Sequence, residues 1–205
     1  MNTAVLKRAP ALSSEAASRA LDTGLWVFIG VASTLFALFL TAYVMRMDGG
    51  DWSTLALPRQ LWLSSALLVA GSVLLQRSSA AARLARWDLA RTLLLAGGAC
   101  AMAFIGAQLW AWQALLAARV MLAGNPAASF FYVLTALHGL HVLGGLVAWA
   151  ATMPSASQPA DPVGLARRIA LCARYWHFLL AVWAVLYATL GWLTPEVVRF
   201  ICGRG

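Results

Sequence analysis

Acidic side chains are the scarcest chemistry in this chain. Asp and Glu together number 7 among 205 residues, and none falls inside the five longest apolar runs. Proton pumps carry Asp, Glu and His in series at membrane depth, so this scarcity argues against proton transport by the chain alone. Cysteine is as sparse. Cys100, Cys172 and Cys202 are far apart, odd in number and without a C-x-x-C pair, which leaves no disulfide framework and no thiolate metal site. Also missing are an internal repeat and a pair of broken apolar helices of the kind that flank a transporter's central site. No connection between apolar runs is long enough to fold alone.

Apolar residues are abundant instead. They make up 62% of the chain, against about half in a water-soluble domain, and the mean hydropathy is +0.77. Five runs reach the roughly 20 residues that hydrocarbon about 30 Å thick requires: 24–45, 58–76, 92–118, 128–152 and 175–193. Backbone groups must be paired internally in lipid, and the runs lack the period-2 alternation of barrel strands, so they predict helices. The expected fold is all-α, an integral membrane bundle of five transmembrane helices. It consists of an N-terminal segment at 1–22, a membrane domain at 23–194 and a tail at 195–205.

The formal charge of +8 comes from 15 Lys and Arg spread over the connections. With the N-terminus inside, Lys7, Arg8, Arg19, Arg77, Arg83, Arg86, Arg91, Arg167, Arg168 and Arg174 face the cytoplasm, against Arg46, Arg59, Arg119, Arg199 and Arg204 outside. Basic residues collect on the cytoplasmic side, which predicts a cytoplasmic N-terminus and a periplasmic C-terminus. The positive charge then reflects orientation and contact with anionic headgroups, and no nucleic acid partner is needed. The first 22 residues carry a basic pair but no apolar core, so the first run reads as a retained signal anchor.

The connections are MDGGDW at 47–52, the Arg-studded QRSSAAARLARWDLAR at 76–91, a Gly-Asn-Pro turn at 124–126, and MPSASQPADPVG at 153–164. Ten Trp are present. Trp26, Trp52, Trp62, Trp87, Trp176 and Trp192 sit at span ends and fit an interfacial belt, whereas Trp110 and Trp112 lie deeper and are expected to pack on neighbouring helices. Gly97 and Ala101, four apart, and Gly145, four after His141, offer surfaces for close helix approach.

His138 and His141 lie in an apolar run, SFFYVLTALHGLHVLGGL. Three apart on a helix, they share a face that continues through Gly145 and Ala148. Axial haem ligands approach from opposite sides of the porphyrin, so this pair cannot serve one iron. The remaining histidine, His177, stands near the cytoplasmic edge, whereas His141 lies roughly 16 Å from it. Zinc lacks the i, i+4 spacing and a nearby carboxylate or thiolate. Interhelical hydrogen bonding is the expected role. Arg174, Trp176 and His177, at the edge of the fifth run, form a candidate phospholipid site, with cation and imidazole toward a phosphate and the indole at the interface.

Four runs carry a specific likeness. The fourth reads F-Y-x-x-T-x-x-H-G-x-H-V-x-G-G from Phe131 to Gly145, and the fifth Y-W-H-F-x-x-x-x-W from Tyr175 to Trp183. The first contributes Trp26, Phe28, Leu38, Phe39, Tyr43 and Arg46, and the third F-x-G-x-Q-x-x-x-W from Phe104 to Trp112. Together these resemble subunit III of the haem-copper cytochrome oxidases, in its short five-helix bacterial form, over about residues 24–193. The resemblance implies a non-catalytic accessory subunit in the bacterial inner membrane that packs on catalytic subunit I, with subunit II nearby, and binds phospholipid. No cofactor is expected in this chain; haem and copper belong to the partner subunits. His138, His141, Gly145, Gln108 and Tyr43 become candidate helix or subunit contacts, and His138→Leu and His141→Leu are expected to weaken assembly or detergent stability of the complex. Three family acids are replaced, by Ala32, Ala111 and Leu180, so a proton-antenna role does not transfer. Rival readings are the accessory protein of a nitric oxide reductase, a b-type cytochrome using His138 or His141 with His177, and a small transporter.

Overall fold

The structure, a computed structural model, describes residues 3–201 apart from 48, 50, 54, 121–124, 154–155 and 157–160, with side chains described between 19 and 200. Asp48, Gly124, Cys202 and Arg204 lie outside the described residues, as do the side chains of Lys7 and Arg8. The helices are α1 (Thr3–Arg46), α2 (Gln60–Arg83), α3 (Trp87–Ala117), α4 (Pro126–Thr152), α5 (Pro162–Trp192) and the short α6 (Pro195–Ile201). The first five are long and apolar enough to cross a membrane, and no strand occurs among the described residues.

Helix ends depart from the apolar runs. α2 continues through Arg83 and α3 starts at Trp87, so the Arg-studded connection is helical except for Leu84 to Arg86. α5 starts at Pro162, well before the apolar run at Tyr175. Ala, Leu and Arg are among the strongest helix formers, so the helix persists where hydropathy falls. A helix of 31 residues is about 46 Å long, which carries it well past hydrocarbon about 30 Å thick.

Local chemistry sets the turns. Asn125 caps α4 by accepting from Ala127 N at 3.0 Å, with Pro126 in the first turn. Its amide nitrogen also donates to Ser53 O at 2.8 Å, tying the α1–α2 connection to the head of α4. Asp161 caps α5, accepting from Gly164 N at 3.0 Å. α2 and α3 both stop at a residue in the left-handed region, Ala85 (φ 55) and Arg119 (φ 58). In each case the next amide reaches back to a carbonyl five residues earlier, Arg86 to Ala81 and Val120 to Leu115, both at 3.0 Å. This closure satisfies carbonyls at the helix end and reverses the chain sharply. At the other end, Arg46 donates to Asp51 at 2.6 Å, and that bond holds the Asp51 carboxyl below the ordinary aspartate range.

α2 and α3 form the most extensive pair, crossing where Gly71 faces Gly97 and Cys100. α5 packs against α2, α4 and α1, while α1 rests mainly on α5 and α4. Ala32, Phe36 and Tyr43 make the buried face of α1, and Met47, just past its end, is buried as well. Hydrogen bonds join neighbouring helices: Gln108 to Ser64 at 2.9 Å, Trp112 to Thr135 at 3.1 Å and Trp183 to Ser65 at 2.9 Å. Trp112 thus packs as expected from its depth. Trp110 is exposed instead, on the outer face of α3. Trp26, Trp62 and Trp192 are exposed at span ends, whereas Trp176 is buried and cannot belong to an interfacial belt.

Two contacts share one device. The indole of Trp149 lies on Gly98, where an added Cβ would sit 2.7 Å from Nε1 and closer still to the ring carbons, and its N–H donates to Leu94 O at 2.8 Å. The ring of Tyr175 lies on Gly145, where an added Cβ would sit 2.9 Å away, and its hydroxyl donates to His141 O at 2.9 Å. In both, the accepting carbonyl stands four residues before the glycine. Side chains on a helix tilt toward its N-terminus and cover the preceding turn, so a glycine uncovers the carbonyl one turn back. Each glycine therefore provides both the seat for a ring and access for its donor.

Candidate functional site: the histidine face and the cavity beside it

His138 is fully buried where α4 meets three other helices. Rings of Phe36 on α1, Phe104 on α3 and Trp183 on α5 approach to centroid distances of 6.3, 5.7 and 5.3 Å. Neither ring nitrogen has a hydrogen-bond partner. The expected interhelical hydrogen bond is absent at this residue; ring contacts to three other helices join them instead. The cage also leaves no space for a porphyrin at His138.

His141, half-buried one turn on, donates from Nδ1 to Leu137 O at 2.7 Å, a bond within its own helix. Its ring packs on Phe36 at 5.3 Å and Phe28 at 5.7 Å. It thus faces α1, and its backbone carbonyl makes the interhelical bond to Tyr175. Gln108 is buried between α3 and α2 with its Oε1 unpartnered. Tyr43 is buried at the far end of α1, edge-on to Trp52 and Phe130 at 5.1 and 5.6 Å.

Leucine at 138 keeps most of the volume and removes two unpartnered nitrogens. An orphaned buried polar group costs about 1–3 kcal/mol, while each aromatic pairing that leucine gives up is worth about 0.5–1.5 kcal/mol. His138→Leu is therefore expected to unfold in detergent at the wild-type temperature or above, reversing the expectation from sequence. A clear fall in the midpoint would show that the ring contacts outweigh the cost of the two unpartnered nitrogens.

The three residues of the candidate lipid site do not converge. Arg174 turns toward α1 and pairs with Asp22 at 3.6 Å, beside the Arg167–Asp22 ion pair. Trp176 points into the core. His177 turns toward α2, where Ser72 meets Nδ1 at 2.5 Å and Gln76 Oε1 meets Nε2 at 3.1 Å. A ring protonated at Nε2 satisfies all three groups, and both nitrogens are then engaged away from any headgroup.

Close to the Asp22 ion pairs, a cavity of about 550 Å³ opens between α1, α4 and α5. Leu25, Phe28, Ala148 and Tyr175 give it apolar walls, and Arg168 lines it as a cation. Hydropathy could not reveal this space, which depends on how three distant helices lean together. Of the positions where the resemblance led acids to be expected, Ala32 and Ala111 are fully packed at 3% and 0% exposure. Leu180 is half-buried. Among the described residues no three His, Cys, Asp or Glu side chains group together.

No protein-family model matches the chain. Curated relatives do. A probable cytochrome c oxidase subunit 3 of Nocardia farcinica (strain IFM 10152) is 30% identical over 165 residues, 76% of this chain and 77% of the relative. Cytochrome c oxidase subunit 3 of Synechocystis sp. is 31% identical over 176 residues, 80% and 72% of the two chains. A probable quinol oxidase subunit 3 of Staphylococcus saprophyticus is 23% identical over 178 residues, 82% and 86%. With five membrane-capable helices, identity of this extent and the motifs of α1, α3, α4 and α5 in their order, the chain is a multi-pass membrane protein and belongs to the cytochrome c oxidase subunit III family.

Proposed function

We propose that the chain is the non-catalytic accessory subunit of a bacterial haem-copper terminal oxidase, in the inner membrane with its N-terminus cytoplasmic and its C-terminus periplasmic. It packs on catalytic subunit I, with subunit II in the same complex. Haem and copper reside in those partners, and oxygen reduction takes place there. The observation that carries the reading is the closed interior. Histidines and small residues of the family motifs are spent on contacts among α1 to α5, and His138 is walled by rings on three sides. Such a bundle offers rigidity to a neighbour. Buried alanines at 32 and 111 support a structural role without proton handling in this chain.

Its phospholipid occupies the cavity between α1, α4 and α5. The walls suit acyl chains, and Arg168 suits a phosphate at headgroup level. Arg174, Trp176 and His177 hold the helices that shape this space.

Purification of the tagged protein from its native membrane, followed by subunit and metal analysis, tests the assignment. A large companion subunit containing haem and copper is expected. Recovery of the chain only as a free homo-oligomer would overturn the reading, and a haem spectrum from the isolated chain would favour the b-type cytochrome instead.

A further inference from the structure

A second cavity, of about 390 Å³, opens at the opposite end of the bundle, between the α1–α2 connection, the start of α2 and the end of α5. Arg59, Tyr187, Trp62 and Trp192 line it. Arg59 is exposed and its guanidinium makes no ion pair or hydrogen bond among the described residues, and the Tyr187 hydroxyl likewise has no partner there. Trp62, 67% exposed, sets its ring edge-on to Tyr187 at 5.6 Å, and Trp192 is 72% exposed. Pro58 and Arg59 lead into α2, so the positive end of that helix borders the space. Gly191 and Leu57 also line it, and a Cβ added at Gly191 would come within 3.3 Å of Leu57.

A free guanidinium, a free phenol and a helix N-terminus around one space select an anion. Exposed indoles at a span end mark the headgroup level of the bilayer, and the volume exceeds what a bare phosphate would fill. We propose that this cavity binds the phosphate of an anionic phospholipid. Arg59 pairs with the phosphate, Tyr187 donates to a phosphate or ester oxygen, and Trp62 and Trp192 flank the glycerol and the upper acyl chains. This site is separate from the cavity lined by Arg168 and does not depend on which complex contains the chain.

Native mass spectrometry of the full-length chain in detergent, titrated with dioleoylphosphatidylglycerol, tests the proposal. Arg59→Ala is expected to weaken one bound lipid about tenfold. Gly191→Trp, which fills the cavity and keeps the charge, should weaken the same lipid comparably. Arg168→Ala, at the other cavity, should remove a different one, so that its effect adds to that of Arg59→Ala. Dioleoylphosphatidylcholine should bind more weakly, and millimolar inorganic phosphate should not displace phosphatidylglycerol. Unchanged affinity in both Arg59→Ala and Gly191→Trp overturns the proposal. Displacement by inorganic phosphate would also overturn it, by assigning the site to a free anion.

Discussion

Trp183→Ala is expected to destabilise the bundle by about 3–5 kcal/mol, a fall on the order of 10 °C in the unfolding midpoint in detergent. The side chain is buried on α5 and reaches α2, α3 and α4 at once. It donates to Ser65 on α2 and sets its ring against Phe104 on α3 at 5.3 Å and His138 on α4 at 5.3 Å. A stacked contact with Tyr187 at 6.3 Å extends it along its own helix. Removing the indole opens a void where these helices meet and exposes one face of His138 to it. Trp183→Phe separates the components. It keeps most of the ring contacts and loses the Ser65 bond, so a cost near the roughly 0.6 kcal/mol average for hydrogen bonds within membranes is expected. Equal midpoints for Trp183→Ala and Trp183→Phe would show that the packing is not centred on this residue.

Gly98→Ala is expected to cost about 2–4 kcal/mol, from overpacking together with loss of one interhelical hydrogen bond. Alanine is the better helix former by about 1 kcal/mol, so local propensity predicts the opposite sign. What decides is the overlap between the added Cβ and the Trp149 indole, 2.7 Å even at Nε1, because a rigid ring can only leave the helix surface. With it goes the bond to Leu94 O, a polar link between the first half of α3 and the second half of α4. Gly139→Ala provides the control, since nothing stands within 4 Å of its Cβ position, and should be neutral or mildly stabilising. Thermal unfolding of both variants in one detergent measures the contrast. A Gly98→Ala protein as stable as Gly139→Ala would remove the seat-and-donor account of these glycines.

The five spans were legible because hydrocarbon demands long apolar runs, and no local choice of residue can evade that. Helix ends were less so: the Arg-studded stretch from Ala80 to Arg91 suggests a connection, yet Ala, Leu and Arg are strong helix formers, and only Leu84 to Arg86, around the left-handed Ala85, interrupt the helices. The lipid triad failed for a reason already present in the sequence. Residues 174, 176 and 177 are adjacent in the chain, but a helix advances about 100° per residue, and the three point toward α1, the core and α2. His138 was legible as a contact but not in kind. Phe36, Phe104 and Trp183 come from three other helices, and no local pattern announces that aromatic rings will meet there. The pairing of Gly145 with His141 four residues earlier was visible; that a tyrosine from α5 would use the uncovered carbonyl was not.

The attachment of α1 has a consequence for how the protein is made. Its main neighbours, α4 and α5, begin at residues 126 and 162. At about 5–20 residues per second of synthesis, α1 therefore waits on the order of ten seconds in the membrane before either exists. It is the most apolar of the five spans, suited to standing alone in lipid. α2, the least apolar, carries Ser64, Ser72 and Ser78 on its buried face, and its hairpin partner α3 follows at once. The span with the longest wait is thus the most apolar and the one whose partner follows at once is the least, and the ion pairs of Arg167 and Arg174 with Asp22 can form only after α5 has been made.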